Sequence, residues 1–238
     1  MLEHSHDREA IRARLRDDRK PSYVRDFVYG GIDGAITTFA VVAGVVGAEL
    51  SAKVILILGF ANLLADGFSM AAANYSGVKT VVDDMARIRA IEEKHIRLEP
   101  DGEREEVRQI LAAKGLTGEV LEGAVTGVTA DRKSWIDLML AEEYGFALVQ
   151  PSPLKAGFVT FTAFILCGAV PLLPFIFGVE DGFAISSAMT AVTFFGIGAW
   201  KSHWSLAHWF RSGLETFAIG GGAAVLAFGV GYLLRGIS

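Results

Sequence analysis

The chain has 238 residues, of which 52% are hydrophobic and 21% charged, and its formal net charge is -5. Such a mixture predicts charged and apolar segments that are kept apart, and it argues against an ordinary soluble globule. The charges cluster in residues 3–26 and 79–155, with no concentrated basic patch or recognition motif that would indicate nucleic-acid binding.

Five apolar blocks of about 20 residues, each long enough to span the ~30 Å hydrocarbon core as a helix, predict an all-α membrane protein. No signal peptide is expected before them, because residues 1–26 are charged and lack an apolar core segment. The predicted spans, in chain order, are Val28–Glu49, Ala52–Tyr75, Leu154–Phe177, Gly182–Trp200 and Gly213–Leu234.

Lys and Arg concentrate in the N-terminal tail and between the second and third spans, which places both segments in the cytoplasm by the positive-inside rule. The compact form and lack of targeting signals favour a bacterial plasma membrane. The predicted organisation is a cytoplasmic arm at 1–24, transmembrane helices 1 and 2 at 25–78, a cytoplasmic helical metal-binding domain at 79–153, and transmembrane helices 3 to 5 at 154–238.

The first span carries acids that an inserted helix should avoid. An aspartate at the centre of a membrane helix costs roughly 2.5 to 3.5 kcal/mol on insertion scales, so such residues usually face a protein interior or an aqueous path. On a 3.6-residue period, Asp26, Gly30, Asp33 and Thr37 share one face. This face predicts a polar stripe along the first span.

The second span repeats the pattern, with Asn62, Asp66, Met70 and Asn74 recurring every four residues. Oxygen ligands together with a thioether sulfur are plausible for a divalent transition metal. The alternative is that the amides hydrogen-bond across a helix contact and Met70 fills a gap in the packing. Both interpretations remain open for Asn62, Asn74 and Met70.

Between spans two and three, breaks at Pro100, 115–118 and 129–131 suggest three helices, the first continuing out of span two, with Asp131 as an N-cap. Acids recur there at helical spacing, as helix-bundle metal sites require. Solvated surface glutamates would give the same spacing. The pairs are Glu92 with His95, Glu103 with Glu106, and Met139 with Glu143.

The sequence resembles the vacuolar iron transporters of plants and fungi and their bacterial relatives. The motifs that carry the resemblance are RDFVYGGIDGAITTFAVVAGVVGA (25–48), ADGFSMAAANY (65–75), the EP-D-x-E-x-x-E run (99–106) and WIDLMLAEE (135–143). The resemblance implies five transmembrane helices with a cytoplasmic helical metal-binding domain between the second and third, a homodimer, and proton-coupled movement of Fe2+ and related ions out of the cytosol.

The resemblance also implies roles for particular residues. Asp26, Asp33 and Met70 match the family's membrane path, while Glu92, Glu103, Glu106, Met139 and Glu143 match its cytoplasmic ligands. The chain departs from the family pattern at His95, where Glu is common, and at Asn62, where the characterised iron carriers have Glu. Asn62 cannot carry charge, so Asp66 is the candidate for the missing carboxylate.

The expected function is a proton-antiporting Fe2+ or Mn2+ transporter, with metal as cargo, no permanently bound cofactor and no enzymatic activity. One alternative is a membrane-tethered metal buffer or sensor. Another is a membrane di-iron oxidase, suggested by the H-x4-H spacing of His203 and His208. Such enzymes need about eight histidines, whereas this chain has five. An interfacial loop anchored by Trp200, Trp204 and Trp209 explains that segment better.

Overall fold

The computed structural model describes residues 5–16 and 20–235, and every regular element in these two ranges is helical. Short 3-10 turns follow α7 and α9. The helices are α1 (Arg8–Arg16), α2 (Val24–Gly47), α3 (Ala52–Leu98), α4 (Pro100–Ala113), α5 (Gly118–Thr129), α6 (Arg132–Glu142), α7 (Pro153–Ala169), α8 (Leu173–Ile176), α9 (Gly182–Lys201) and α10 (Trp209–Leu234).

Within the described residues, five helical segments are long and apolar enough to cross a membrane, which confirms the predicted number of spans. They correspond to α2, the apolar part of α3, α7 continued by α8, α9 with its 3-10 turn, and α10. The fifth begins at Trp209 rather than at Gly213, because the helix opens with an interfacial turn that apolarity alone does not mark.

The chain divides into two compact units. We call Tyr23–Lys79 with the chain from Pro151 onward the membrane unit. Thr80–Gln150, with the described N-terminal residues, form the insert unit. The long helix α3 contributes residues to both, since no proline interrupts it before Pro100, which starts α4.

In the membrane unit, α2 packs closely against α7 and α10 through glycines. A methyl group at Gly34 would overlap the carbonyl oxygen of Phe164, and one at Gly231 would overlap that of Gly44. Small residues at such contacts let two helix backbones approach. The apolar core beside these contacts is formed by Phe39, Val42, Val45, Ile55, Leu63, Phe164 and Leu172.

The insert unit contains one helical segment more than the sequence suggested. The three predicted breaks separate four segments, namely the end of α3 followed by α4, α5 and α6, so the expectation of three helices is wrong. The Asp131 N-cap is confirmed, because its carboxylate accepts a hydrogen bond from the Ser134 amide at 2.8 Å. The segments share a core of Ile88, Ile96, Val107, Val125, Trp135, Ile136, Met139 and Leu140.

Candidate functional site

The polar stripes predicted for the first two spans face each other in the structure. The side-chain amide of Asn62 on α3 donates hydrogen bonds to the hydroxyl oxygens of Thr37 and Thr38 on α2, at 3.2 and 3.3 Å. These contacts tie the two helices together at one end of the stripes. They also give Asn62 a packing role that does not depend on any bound ion.

Three helices meet at the other end of the stripes. The amide of Asn74 donates to Oδ1 of Asp26 and to the hydroxyl of Thr160 on α7, both at 2.8 Å. Asp26 is 8% exposed, so this amide satisfies part of the hydrogen-bonding need of a buried acid. Thr160 is completely buried and was not singled out from the sequence, because a lone threonine in an apolar block carries no periodic signal.

Asp33 and Asp66 lie between these two contacts. The short turn after α2 makes α2 and α3 antiparallel, so moving four residues from Thr37 to Asp33 matches moving four residues from Asn62 to Asp66. The two acids are therefore level with each other, and their charges interact. Both are partly exposed, and Met70, one turn beyond Asp66, packs beside the core of the membrane unit.

The insert unit holds a second acidic cluster, centred on Glu92 and Glu103. These carboxylates are 1% and 5% exposed, and Oε2 of each has no hydrogen-bond donor within reach. A buried carboxylate oxygen without a donor is unfavourable unless a proton or a cation occupies the space beside it. The pair is therefore a plausible place for either.

Around this pair lie Glu106, Glu143 and His95, whose Nδ1 is 3.3 Å from Oε1 of Glu103. Burial, together with the charges of Glu92 and Glu106, raises the pKa of Glu103 to about 7. Burial also raises the pKa of Glu143, to which the charges of Glu92 and Glu106 add. Glu103 is therefore partly protonated near neutral pH.

Tyr144 completes this cluster, and the sequence reasoning missed it. Its hydroxyl donates to Oε1 of Glu92 at 3.0 Å. Burial and that hydrogen bond raise the pKa of the Tyr144 phenol, so it stays a donor throughout the neutral range. Its position directly after the Glu142–Glu143 pair could have drawn attention to it, although a tyrosine there has no periodic partner.

The six predicted ligands of the insert do not form a closed coordination shell. Across residues 5–16 and 20–235, no three His, Cys, Asp or Glu side chains converge closely enough to hold an ion as they stand. Glu106, Glu143 and His95 are exposed. Met139 is completely buried in the hydrophobic core, one turn before Glu143, so its observed contacts are packing contacts.

The two histidines that suggested an oxidase are occupied by local contacts. Nδ1 of His203 lies 3.1 Å from the carbonyl oxygen of Trp200, and Nδ1 of His208 accepts a hydrogen bond from the Phe210 amide at the start of α10. Trp200 packs edge-on against Trp204. These contacts describe an aromatic loop between α9 and α10.

Comparison with known proteins identifies relatives over most of the chain. The chain is 33% identical over 225 residues to a vacuolar iron transporter of Toxoplasma gondii, covering 90% of this chain and 74% of that protein. It is 32% identical to vacuolar iron transporter 1 of Eucalyptus grandis over 91% of each chain. The Arabidopsis thaliana protein of the same name is also 32% identical, over 86% of this chain and 83% of its own.

A model of the VIT family matches residues 24–232, which contain the first four candidate spans, most of the fifth, and Thr80–Gln150 of the insert unit. With five membrane-crossing helices, facing acidic stripes on α2 and α3, and this match over most of its length, the chain is an integral membrane protein that belongs to the VIT family.

Proposed function

We propose that the protein transports divalent transition metal, Fe2+ or Mn2+, out of the cytosol in exchange for protons. The observation that carries the proposal is the opposition of Asp33 and Asp66 on two membrane-crossing helices, bracketed by the Asn62 and Asn74 contacts. Inserting two acids at one level of a membrane helix pair costs free energy. A protein whose helices served only as an anchor would have no reason to keep these acids.

In this proposal the ion passes along the facing stripes of α2 and α3. Asp33 and Asp66 supply carboxylate oxygens, and Met70 adds a thioether. A soft sulfur ligand disfavours Mg2+ and Ca2+, which prefer all-oxygen shells. Asp26 adds a further carboxylate at the end of the stripe, where the Asn74 amide orients it.

The insert unit is proposed to collect the ion before it enters the membrane. Glu92 and Glu103 would supply the two inner ligands, since each has a buried oxygen without a donor. Exposed His95, Glu106 and Glu143 would then swing inward once a cation offsets their mutual repulsion. We propose Met139 as a further ligand only if α6 shifts to bring its sulfur out of the core.

Proton exchange follows from competition for the same oxygens. A carboxylate binds metal in its ionised form, so protons arriving from the far side would displace the ion from Asp33 and Asp66. Metal arriving from the cytosol would displace the protons in turn. The gradient of one species could therefore drive the movement of the other.

The proposed orientation places the N-terminus and the insert unit in the cytoplasm, on the basis of their Lys and Arg content. We further propose a homodimer in a bacterial plasma membrane, while noting that the relatives' names refer to vacuoles. Mass measurement of the detergent-solubilised protein tests the dimer, and a C-terminal reporter fusion tests the orientation.

The transport proposal is tested by flux into liposomes that contain a metal-quenched dye. Wild-type protein should admit Mn2+ and Fe2+, and an opposing pH gradient should accelerate the flux. Asp33→Ala should abolish flux, whereas the matched control Glu180→Ala, an exposed acid between the third and fourth spans, should leave it unchanged. Wild-type flux in the Asp33→Ala protein would show that Asp33 is structural.

A membrane-tethered metal buffer is the second candidate, favoured specifically by the acidic cluster of the insert unit. It predicts that Mn2+ binds to the reconstituted protein without crossing the bilayer. Equilibrium dialysis and flux measured on the same preparation separate the two functions.

A further inference from the structure

Two apolar grooves lie side by side along the first half of α7. One, of about 370 Å³, separates α7 from α3 and is lined on the α3 side by Phe68, Ala72 and Tyr75. The other, of about 500 Å³, follows the opposite side of α7 and includes Tyr23. Both grooves contain Leu154 and Phe158, which are 74% and 70% exposed and form the ridge between them.

Among the described residues that line the two grooves, Lys155 is the one cation, and it lies beside the ridge residue Leu154. Lys155 is exposed and lines the second groove, and it is followed by no other charged residue until Glu180. Lys155 therefore marks the level at which the apolar span meets the lipid headgroups, where lysine side chains extend toward water. Within the described residues, neither groove is lined by an acid that could neutralise it.

The wall of the second groove is fixed at the same level. The Tyr23 hydroxyl accepts a hydrogen bond from the Ser152 amide at 2.9 Å, which joins the start of α2 to the start of α7. This bond holds the Tyr23 ring beside Lys155 as part of the groove. The start of α7 thus combines one cation, an anchored aromatic ring and two apolar grooves that adjoin along Leu154 and Phe158.

We propose that this face binds one glycerophospholipid with an anionic headgroup, which places one acyl chain in each groove and its phosphate at Lys155. Two acyl chains that leave one glycerol need two neighbouring apolar grooves, and these two grooves adjoin along Leu154 and Phe158. Basic positions between transmembrane helices are suited to anionic lipid headgroups. A second copy of the chain fits less well, because it would have to bury Lys155 against an acid that this face does not provide.

Native mass spectrometry of the purified, delipidated protein tests the proposal with phosphatidylglycerol and phosphatidylcholine of identical acyl chains. Wild-type protein should retain one phosphatidylglycerol per chain in preference to phosphatidylcholine. Lys155→Gln should lower the phosphatidylglycerol affinity about fivefold and leave phosphatidylcholine unchanged. The control is Lys53→Gln at the start of α3, also exposed, which should retain wild-type affinity.

The acyl-chain part of the proposal has its own variant. Ala72→Trp should fill the first groove and reduce retention of both lipids, whereas Leu166→Trp, exposed on α7 but outside both grooves, should not. Equal affinity of wild-type protein for the two lipids, or equal behaviour of the two lysine variants, would overturn the proposal. So would an Ala72→Trp protein that loses a dimer while phosphatidylglycerol binding persists, since the face would then belong to a second copy.

Discussion

The side-chain amide of Asn74 lies 2.8 Å from the carboxylate oxygen of Asp26 and joins α3 to the start of α2. The same amide reaches the hydroxyl of Thr160 on α7, so one asparagine holds three helices of the membrane unit in register. The level placement of Asp33 and Asp66 depends on this register together with the Asn62 contacts.

Replacing Asn74 by leucine should leave the buried Asp26 carboxylate without its donor. We expect the free energy of unfolding to fall by about 2 kcal/mol, the usual cost of an unsatisfied buried polar group. The double variant Asp26→Leu/Asn74→Leu should recover much of the loss, because it removes both partners. Thermal unfolding of the two single variants and the double variant in detergent measures this double-mutant cycle. Additive losses of stability would mean that the two side chains are not coupled.

The contrast between Asn74 and Thr160 shows how much of the membrane site the sequence could predict. The four-residue spacing of Asn62, Asp66, Met70 and Asn74 fixed their common face because an α-helix has a known period. Which atoms on α7 they would meet depends on tertiary packing, in which Gly34 and its neighbours bring α2 against α7. The contact of Thr160 with Asn74 could therefore be identified only from the structure.

In the insert unit too, helix periodicity predicts which residues share a face but not which atoms they contact. The helical spacings predicted that Glu92 and Glu103 could each share a helix face with a second possible metal ligand. Their low exposure, 1% and 5%, arises from how α4 and α6 pack on the end of α3. Tyr144 lies just beyond the C-terminal end of α6, where no period applies. Its bond to Glu92 is consequently a finding of the structure alone.

The close contacts of α2 predict that alanine substitution destabilises the protein at Gly34 but not at Gly221. Gly34→Ala should lower the free energy of unfolding by about 2 kcal/mol or more, because its methyl group meets a backbone oxygen that cannot move aside. Gly221→Ala on α10 faces open space and should leave stability unchanged or slightly higher. Parallel thermal-unfolding curves settle the comparison, and equal midpoints would contradict the packing of α2 on α7.

Stability of the metal-free protein should depend on pH through Glu103. Its pKa is raised from 4.5 to about 7, so the folded state holds a proton that the unfolded state has lost across this window. The free energy of unfolding should therefore be highest at and below about pH 4.5 and fall by up to about 3 kcal/mol as the pH rises through about 7.

Unfolding in EDTA at a series of pH values measures this slope. Glu103→Gln removes the titrating group and should flatten the curve, while Glu119→Gln, an acid in the first turn of α5 and outside the cluster, should preserve it. A Glu103→Gln protein with the wild-type slope would show that the proton resides elsewhere.

Tyr144→Phe removes the hydroxyl that orients Glu92 without removing a proposed ligand. We expect about tenfold weaker Mn2+ binding, since partners that orient metal ligands usually contribute at least this much. Isothermal titration is the appropriate measurement, with Tyr29→Phe on the exposed surface of α2 as the control. Identical affinities in the two variants would exclude an orienting role for Tyr144.

Asn62→Glu tests the chain's departure from the family pattern. The hydroxyls of Thr37 and Thr38 can rotate to donate to a carboxylate, so the variant should fold. Because the resemblance implies glutamate at this position in iron carriers, competition flux should shift toward Fe2+ over Mn2+. An unchanged preference would mean that position 62 serves the helix contact and does not select the ion.

The raised pKa of Glu103 affects how protons are counted in any transport measurement. Because Glu103 is partly protonated at neutral pH, a divalent ion that binds there would expel protons into the compartment it came from. The net charge of the insert unit would then rise by less than two per ion. A pH change seen on mixing with metal would therefore contain a binding component, which must be subtracted before protons crossing the bilayer are counted.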